Sequence, residues 1–346
     1  MSLQRILIVK LSAIGDVVHT IPALCAIRKA MPDAFIGWVV EELSSDLLKG
    51  HPYLDKLYVI PKSRWKGNYG KYLFTEIVPF FQGITRDKYD ITIDFQGLTK
   101  SGVVAYLSGA KTRIGFGDKD GRELNKIFIN EKVTPTADKP HIIDRNLSLL
   151  KPLGIENPQY EFKINIPDEA YSYIENKLKI DGVQPDEKFV FINPGAGWIT
   201  KRIPLNVLGE VGRKIIEKYN LRVMLTYGPG EEKMVKELKE MIGSGALVAP
   251  ETSLMQFAVL LSRCKIFIGG DTGPTHLASA LDVPVVSFFG ASDAKRNRPY
   301  GKKSYVVQLD ELECVPCWKT KCEDLKCVKN ITPEMLMKGV DGLMNK

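Results

Sequence analysis

The run Gly269-Gly270-Asp271-Thr272-Gly273-Pro274-Thr275-His276-Leu277-Ala278-Ser279-Ala280-Leu281 follows an apolar strand, Ile266-Phe267-Ile268, and reads as a turn that opens a helix. Pro274 suits the first helical turn, where its missing N–H costs nothing. Thr272 or Asp271 can cap the free amides, and Gly273 allows close approach of the backbone to a ligand. A helix N-terminus with open amides and the positive end of the dipole is an anion site, and His276 adds a donor on the same side. The same residues also fit an ordinary βα turn with a satisfied histidine, so the neighbouring loops have to decide.

Two of them carry similar chemistry. Asn193-Pro194-Gly195-Ala196-Gly197-Trp198-Ile199-Thr200-Lys201-Arg202-Ile203-Pro204 places glycines after a strand and then two cations. Amides there can cradle pyrophosphate oxygens while Lys201 and Arg202 neutralise them; the competing reading is a solvated surface loop. Tyr227-Gly228-Pro229-Gly230-Glu231 ends in an acid that can bind ribose hydroxyls or simply start a helix. Three such loops in one half of the chain argue more strongly than any one. In the other half, Lys10-Leu11-Ser12-Ala13-Ile14-Gly15-Asp16-Val17-Val18-His19-Thr20 holds a single carboxylate, Asp16, beside a glycine. It is neither a G-x-G-x-x-G turn nor a P-loop, and on this turn alone Asp16 reads as a helix cap.

These loops need strands and helices to present them. Leu3 to Val9, Ala34 to Val40, Leu57 to Ile60, Ile91 to Asp94 and Thr112 to Gly115 read as strands, with a helix over Ile21 to Met31. The pattern breaks between Pro158 and Pro167, a helix covers Glu169 to Lys179, and a second alternation begins. Its strands are Phe189 to Ile192, Val223 to Thr226, Leu247 to Val248, Lys265 to Ile268 and Val285 to Phe288. Its helices cover Leu205 to Lys218, Glu231 to Met241, Leu254 to Leu261 and Thr275 to Leu281. This rhythm predicts an α/β protein of two Rossmann-like, doubly wound domains. Residues 1–165 form the first, 166–185 a linker with a helix, 186–330 the second, and 331–346 a terminal helix, opened by Thr332-Pro333-Glu334, that reaches back to the first domain. Ligands bind beyond the carboxyl ends of such strands, in a cleft where two such domains face each other.

At 346 residues the chain suits two cores. Its composition, 44% hydrophobic and 26% charged, is that of a globular protein. The formal net charge of +7 favours an acidic partner, whether a phosphorylated small molecule, nucleic acid or an anionic membrane surface. The N-terminus runs straight into a strand and no apolar run nears the roughly 18 residues of a membrane span, which predicts a cytoplasmic protein with reduced thiols. Cys314, Cys317, Cys322 and Cys327 cluster. The first two form a Cys-x-x-Cys suited to zinc or redox work, but the second spacing is looser, so a metal site and plain structural thiols both stay open. Lys62-Ser63-Arg64-Trp65-Lys66, with Lys71 beyond, and Lys295-Arg296-Asn297-Arg298 are basic patches. The first, with Trp65 inside it, suits an anionic acceptor at a membrane surface. No recognisable RNA module accompanies either patch, and nucleic acid is not expected as a partner.

Ser12-Ala13-Ile14-Gly15-Asp16-Val17-Val18-His19-Thr20-Ile21-Pro22-Ala23-Leu24 resembles the N-terminal signature of the ADP-heptose:lipopolysaccharide heptosyltransferases. Asp94-Phe95-Gln96-Gly97-Leu98-Thr99-Lys100-Ser101, Arg113-Ile114-Gly115-Phe116 and Asp271-Thr272-Gly273-Pro274-Thr275-His276 match further family segments in the same order, and the cysteine tail is similar to that of many members. The resemblance implies a GT-B glycosyltransferase that inverts the anomeric carbon, with an ADP-heptose donor in the second domain and a lipopolysaccharide core acceptor in the first, peripheral at the inner membrane's cytoplasmic face. It implies Asp16 as general base. It places Lys201, Ala196 and Gly197 on the diphosphate, and the Thr272-Gly273-Pro274 turn with His276 on the leaving ADP. Asp271 falls near the heptose, Glu231 on the ribose, and Thr252 and Leu254 along the adenine. Arg64, Lys66, Gln96, Lys100 and Arg122 fall on the acceptor side. No cofactor is required by the resemblance, and dependence on a divalent metal stays open. Ile203 stands where members often have tryptophan, and Ala196 and Gly197 where many have threonines, which removes hydroxyl contacts to phosphate. The Arg64-Trp65-Lys66 loop is more similar to the first heptosyltransferase, acting on Kdo-lipid A, and the cysteine tail to the second; a transferase using another nucleotide sugar, or a non-catalytic nucleotide-sugar or RNA-binding module, is the alternative.

Overall fold

The structure, a computed structural model, describes residues 4–117, 121–136, 138–184 and 186–345. The chain divides into two compact units, Met1–Asn165 and Ile166–Lys346. Each is built on a parallel six-stranded sheet. In the first, β1 (Arg5–Val9), β2 (Phe35–Glu41), β3 (Lys56–Ile60), β4 (Ile91–Asp94), β5 (Thr112–Phe116) and β6 (Glu131–Val133) lie in the order β3-β2-β1-β4-β5-β6. Val9 stands opposite Val39 on one side and Asp94 on the other, so β1, β2 and β4 end together. Ile6 to Val9 are fully buried because helices cover both faces, which is why this strand reads as an unbroken apolar run. The helices are α1 (Ile14–Val18), α2 (Ile21–Ala30), α3 (Val78–Arg86), α4 (Thr99–Leu107) and α5 (Ile142–Ser148).

The second unit repeats the plan with β7 (Phe189–Asn193), β8 (Val223–Leu225), β9 (Ala246–Val248), β10 (Cys264–Gly270), β11 (Val285–Phe289) and β12 (Ser304–Gln308) in the order β12-β11-β10-β7-β8-β9. Its helices are α6 (Asp168–Ile180), α7 (Leu205–Tyr219), α8 (Glu232–Ile242), α9 (Leu254–Leu261), α10 (Gly273–Ala280) and α11 (Pro333–Met344). α6, which the sequence places in a linker, buries Ala170, Ile174 and Leu178 and packs on α9, so it belongs to this unit. α11 starts as expected, with the Thr332 hydroxyl accepting from the Met335 amide at 3.4 Å and Pro333 in the first turn. Its apolar face, Leu336, Met337 and Val340, packs in the second unit's own core, against β12, β11 and α7. Among the described residues no helix is long and apolar enough to cross a membrane.

β6 and β12 are absent from the sequence reading for a physical reason. Both are edge strands, and edge strands lack the continuous apolar run of buried ones. β6 exposes two of its three residues and β12 follows the solvated Lys302-Lys303 pair.

α11 docks through Gly339, where a Cβ would come within 2.4 Å of the Tyr305 ring on β12. Two effects oppose each other in Gly339→Ala: alanine gains about 1 kcal/mol of helix propensity, while overpacking a fixed ring costs about 1–3 kcal/mol. The expected outcome is net destabilisation, read as a lower midpoint in urea; a raised midpoint would show that the helix moves freely on the sheet.

Candidate functional site

In the second unit β10, β7 and β8 are neighbours, so the loops that follow them share one edge of the sheet. Asp271 is the first residue beyond β10, and Lys201 closes the short 3-10 turn Ile199–Lys201 beyond β7. The Lys201 ammonium lies 2.6 Å from Asp271 Oδ2 and 3.2 Å from its carbonyl, with its charge 4.5 Å from the centre of the Trp198 ring. His276 Nε2 lies 3.0 Å from Asp271 Oδ1, and the Asn297 side-chain amide donates to Oδ2 at 3.4 Å. The Asp271 side chain is only 4% exposed. Burial pushes its carboxyl up, but the hydrogen bond from His276 and the interactions with His276 and the Lys201 ammonium outweigh that and hold it well below the usual carboxylate range.

α10 begins two residues later, at Gly273. Thr272 is its N-cap in position, but no side chain caps the helix, and the Asp271 carboxylate is occupied by Lys201 and His276. Pro274 has no N–H and contributes only its fixed φ. The first-turn amides of Gly273 and Thr275 lack intrahelical acceptors, and Thr272, Gly273 and Pro274 are partly exposed. A lysine and the open end of a helix therefore stand together at one strand end, which is the chemistry of an anion site.

The β7 and β8 loops are tied to each other. Arg202, which the sequence offers to an anion, turns its guanidinium onto the Ala196 carbonyl at 2.7 Å from Nε and lies 3.9 Å from Glu231. Glu231 Oε2 accepts from the Gly228 amide at 2.9 Å, and its carboxylate occupies the space where any side chain at position 195 would sit. Ala196 is buried and Gly197 is exposed. Beside these loops is a cavity of about 230 Å³, lined by Tyr227, Gly228, Glu232, Thr252 and Phe257 among others. Thr252 is among the residues that line it. Leu254 opens α9 without lining the cavity, and the acids that line it are Glu232 and Glu251 rather than Glu231.

In the first unit the ends of β1, β2 and β4 gather a second polar cluster. Asp16 is the third residue of α1, and its Oδ2 accepts from the Ala13 amide at 3.1 Å, so the cap expected from sequence is present. Its side chain is nonetheless 44% exposed, with the buried Lys10 ammonium 3.7 Å from Oδ1. Gln96 Oε1 accepts from the Leu11 and Ser12 amides at 3.1 and 3.2 Å, which fixes the loop that carries Asp16. Glu41, at the end of β2, is buried and receives Lys62 at 2.8 Å and Lys100 at 2.7 Å. Burial raises its carboxyl, and the two lysines more than reverse that, leaving it below the ordinary range. Lys100 also approaches Ser12 Oγ at 3.4 Å. Asp94, fully buried, accepts from the Gln96 and Gly97 amides, Ser101 and Asn125, and burial still pushes its carboxyl up. Arg64 is paired with Glu76, while Lys66 and Arg122 are exposed. Lys10, Glu41 and Lys62 belong to this cluster although sequence reasoning passes over them. Their partners are distant in the chain, and Lys62 shows only as one charge in a basic run.

The cysteine segment packs against the Lys201 turn. The Cys317 and Trp318 amides donate to the Ala291 carbonyl at 3.0 and 2.8 Å, and Thr200 Oγ1 donates to the Lys319 carbonyl at 2.7 Å. Cys327 is buried, and burial together with the neighbouring thiols of Cys314, Cys317 and Cys322 pushes its thiol up. Among the described residues no three His, Cys, Asp or Glu side chains are arranged to hold a metal ion, and the thiols are free.

Residues 77–328 match the family model described as Glycosyltransferase family 9 (heptosyltransferase). The chain is 29% identical over 92% of its length to 87% of lipopolysaccharide heptosyltransferase 1 of Pseudomonas aeruginosa, and 30% identical over 88% to 93% of the Escherichia coli K12 protein of that name. Its fold is similar to the family 9 glycosyl transferase of Veillonella parvula, with a TM-score of 0.85 at 23% identity over 100% of this chain and 99% of that one. The E. coli heptosyltransferase WaaC solved with ADP superposes with a TM-score of 0.77 at 25% identity over 98% and 100% of the two chains.

Asp271 has a testable signature. A depressed carboxyl adds stability that is complete above its unfolded value, near 3.9, and is lost as pH falls toward the folded value. Asp271→Asn, which leaves Lys201 without its counter-charge, is expected to cost about 3–5 kcal/mol near neutral pH. The difference from the wild type should shrink as urea unfolding is repeated below about pH 4. A pH-independent difference would remove Asp271 from the role of an ionised hub.

Proposed function

The chain belongs to glycosyltransferase family 9, the heptosyltransferases, and from that premise we propose that it moves heptose from ADP-heptose to the inner core of lipopolysaccharide, at the Kdo-lipid A position. Curated relatives named lipopolysaccharide heptosyltransferase 1 support the acceptor position, and a solved relative holding ADP supports the nucleotide. Such an acceptor places the reaction at the cytoplasmic face of the inner membrane. The observation that carries the reading is the Lys201 ammonium beside the uncapped start of α10, a cation and backbone amides on one sheet edge that suit a diphosphate.

In this reading Lys201 and the Ala196 and Gly197 amides hold the diphosphate, with Asp271 keeping the lysine and His276 in place. The acceptor hydroxyl oxygen attacks the anomeric carbon, its proton passes to Asp16, and the bond from that carbon to the β-phosphate oxygen breaks. The electron pair leaves on ADP, where the Thr272 and Gly273 amides and His276 meet the growing charge. A single displacement inverts the anomeric centre and needs one base and no covalent intermediate. The cavity beside Thr252 takes the adenine, and Glu231 or its neighbour Glu232 takes the ribose. Lys66 and Arg122 are exposed bases for acceptor carboxylates and phosphates, and Arg64 joins them if Glu76 shares it. Gln96 and Lys100 serve the acceptor side by fixing the Asp16 loop.

The decisive experiment incubates the protein with ADP-heptose and Kdo-lipid A and weighs the product by mass spectrometry; a product lacking one added heptose overturns the assignment. Asp16→Ala is expected to keep ADP-heptose binding and lose about 10²- to 10⁴-fold in turnover, and near-normal turnover would exclude Asp16 as the base. Lys201→Ala is expected to weaken ADP-heptose binding by titration calorimetry; an unchanged Kd counts against the diphosphate site.

A further inference from the structure

Beyond β3 the first unit carries a surface that the proposed chemistry leaves largely unused. Two short helices, Lys62–Trp65 and Tyr69–Tyr72, and a π-helical turn, Leu73–Ile77, lead into α3. Phe74 is 79% exposed, Tyr69 59% and Leu73 40%. Leu43, 79% exposed, is brought to the same place because the Ser63 amide donates to Glu42 Oε1 at 2.7 Å. Lys62, Arg64, Lys66 and Lys71 are exposed among them, and Glu76 is the single acid between positions 62 and 77.

Contacts tie these segments together. Arg64 pairs with Glu76 and lies 5.1 Å from the centre of the Tyr72 ring, and Lys71 lies 5.3 Å from the same ring. Trp65, the aromatic that the sequence offers to a membrane, is instead the anchor beneath. It is 6% exposed, its Nε1 donates to Glu76 Oε2 at 2.9 Å, and its ring meets Phe80 edge-on at 5.5 Å. A single exposed leucine needs no explanation; four large exposed apolar side chains accompanied by four exposed cations on these linked segments do. Nucleic acid would satisfy the cations and leave Leu43 and Phe74 in water. An anionic bilayer satisfies both, the apolar tips in the headgroup–acyl boundary and the cations at lipid phosphates.

We propose that Leu43 and residues 62–77 dock the protein on an anionic lipid bilayer. The inference rests on the reading that the acceptor is lipid-anchored, because the patch shares a strand-end edge with Asp16. Lys62 is held by Glu41, Glu41 by Lys100, and Lys100 reaches Ser12 in the Asp16 loop. A bilayer gripped there keeps a membrane-held hydroxyl near that loop.

The test is co-sedimentation of the full chain with phosphatidylcholine vesicles, with and without phosphatidylglycerol, at low and high salt. The wild type should sediment with the phosphatidylglycerol vesicles and be released by salt. Leu43→Ser with Phe74→Ser should lower partitioning at least about tenfold, and Lys71→Gln about fivefold, with unchanged circular dichroism and unchanged heptose transfer to a delipidated, water-soluble acceptor. No sedimentation, sedimentation indifferent to Leu43→Ser with Phe74→Ser, or retention on polyuridylate in place of vesicles would overturn the docking site. Those results leave transfer to the soluble acceptor standing, whereas loss of transfer on every acceptor with vesicle binding intact overturns the enzymatic reading alone.

Discussion

A carboxylate taken out of water organises the second unit's site. Asp271 is costly to bury alone, and it is tolerated because a lysine, a histidine and an asparagine converge on it from three separate segments. Their convergence closes the β7 loop onto the β10 loop. With Asp271 engaged in this way, the helix that follows it goes uncapped, which leaves backbone donors for something else. The open helix start is thus linked to how one buried charge is neutralised.

The first unit applies the same logic at the opposite end of the chain. Glu41 draws Lys62 and Lys100 together, and Asp94 gathers amides and side chains at the end of β4. Between these two anchors runs the Asp16 loop, pinned by Gln96. Asp16 is left with far more freedom than either, half in solvent and with one oxygen on a backbone amide. Rigid neighbours and an accessible carboxylate are what a proton acceptor needs. The three acids differ in burial, not in chemistry: Glu41 and Asp94 are buried and held by several partners, while Asp16 is half exposed.

Much of this was legible from residue order. Strands buried on both faces announce themselves as apolar runs, so β1, β4, β7, β10 and β11 appear within a residue or two of their true limits. The loops after them could be marked as ligand-type because glycine, proline and charge follow a strand in each. What escaped depends on distance along the chain. The partner of Lys201 lies 70 residues away, so a lysine that looked free for phosphate is also a structural counter-ion. Arg202 seemed interchangeable with its neighbour, and only the folded loop shows it spent on a carbonyl. Trp65 sits among cations and looked exposed, but Phe80 and Glu76 draw it inward. Local pattern places elements; the division of labour among charged side chains is decided by three-dimensional neighbours.

The Thr200 hydroxyl ends on a carbonyl 119 residues further along. During synthesis the β7 loop leaves the ribosome well before β10, Asp271 and the cysteine segment exist. The long-range contacts that hold the lysine turn therefore form only late in synthesis. The arrangement of Lys201 seen in the folded protein thus depends on residues that emerge late in synthesis.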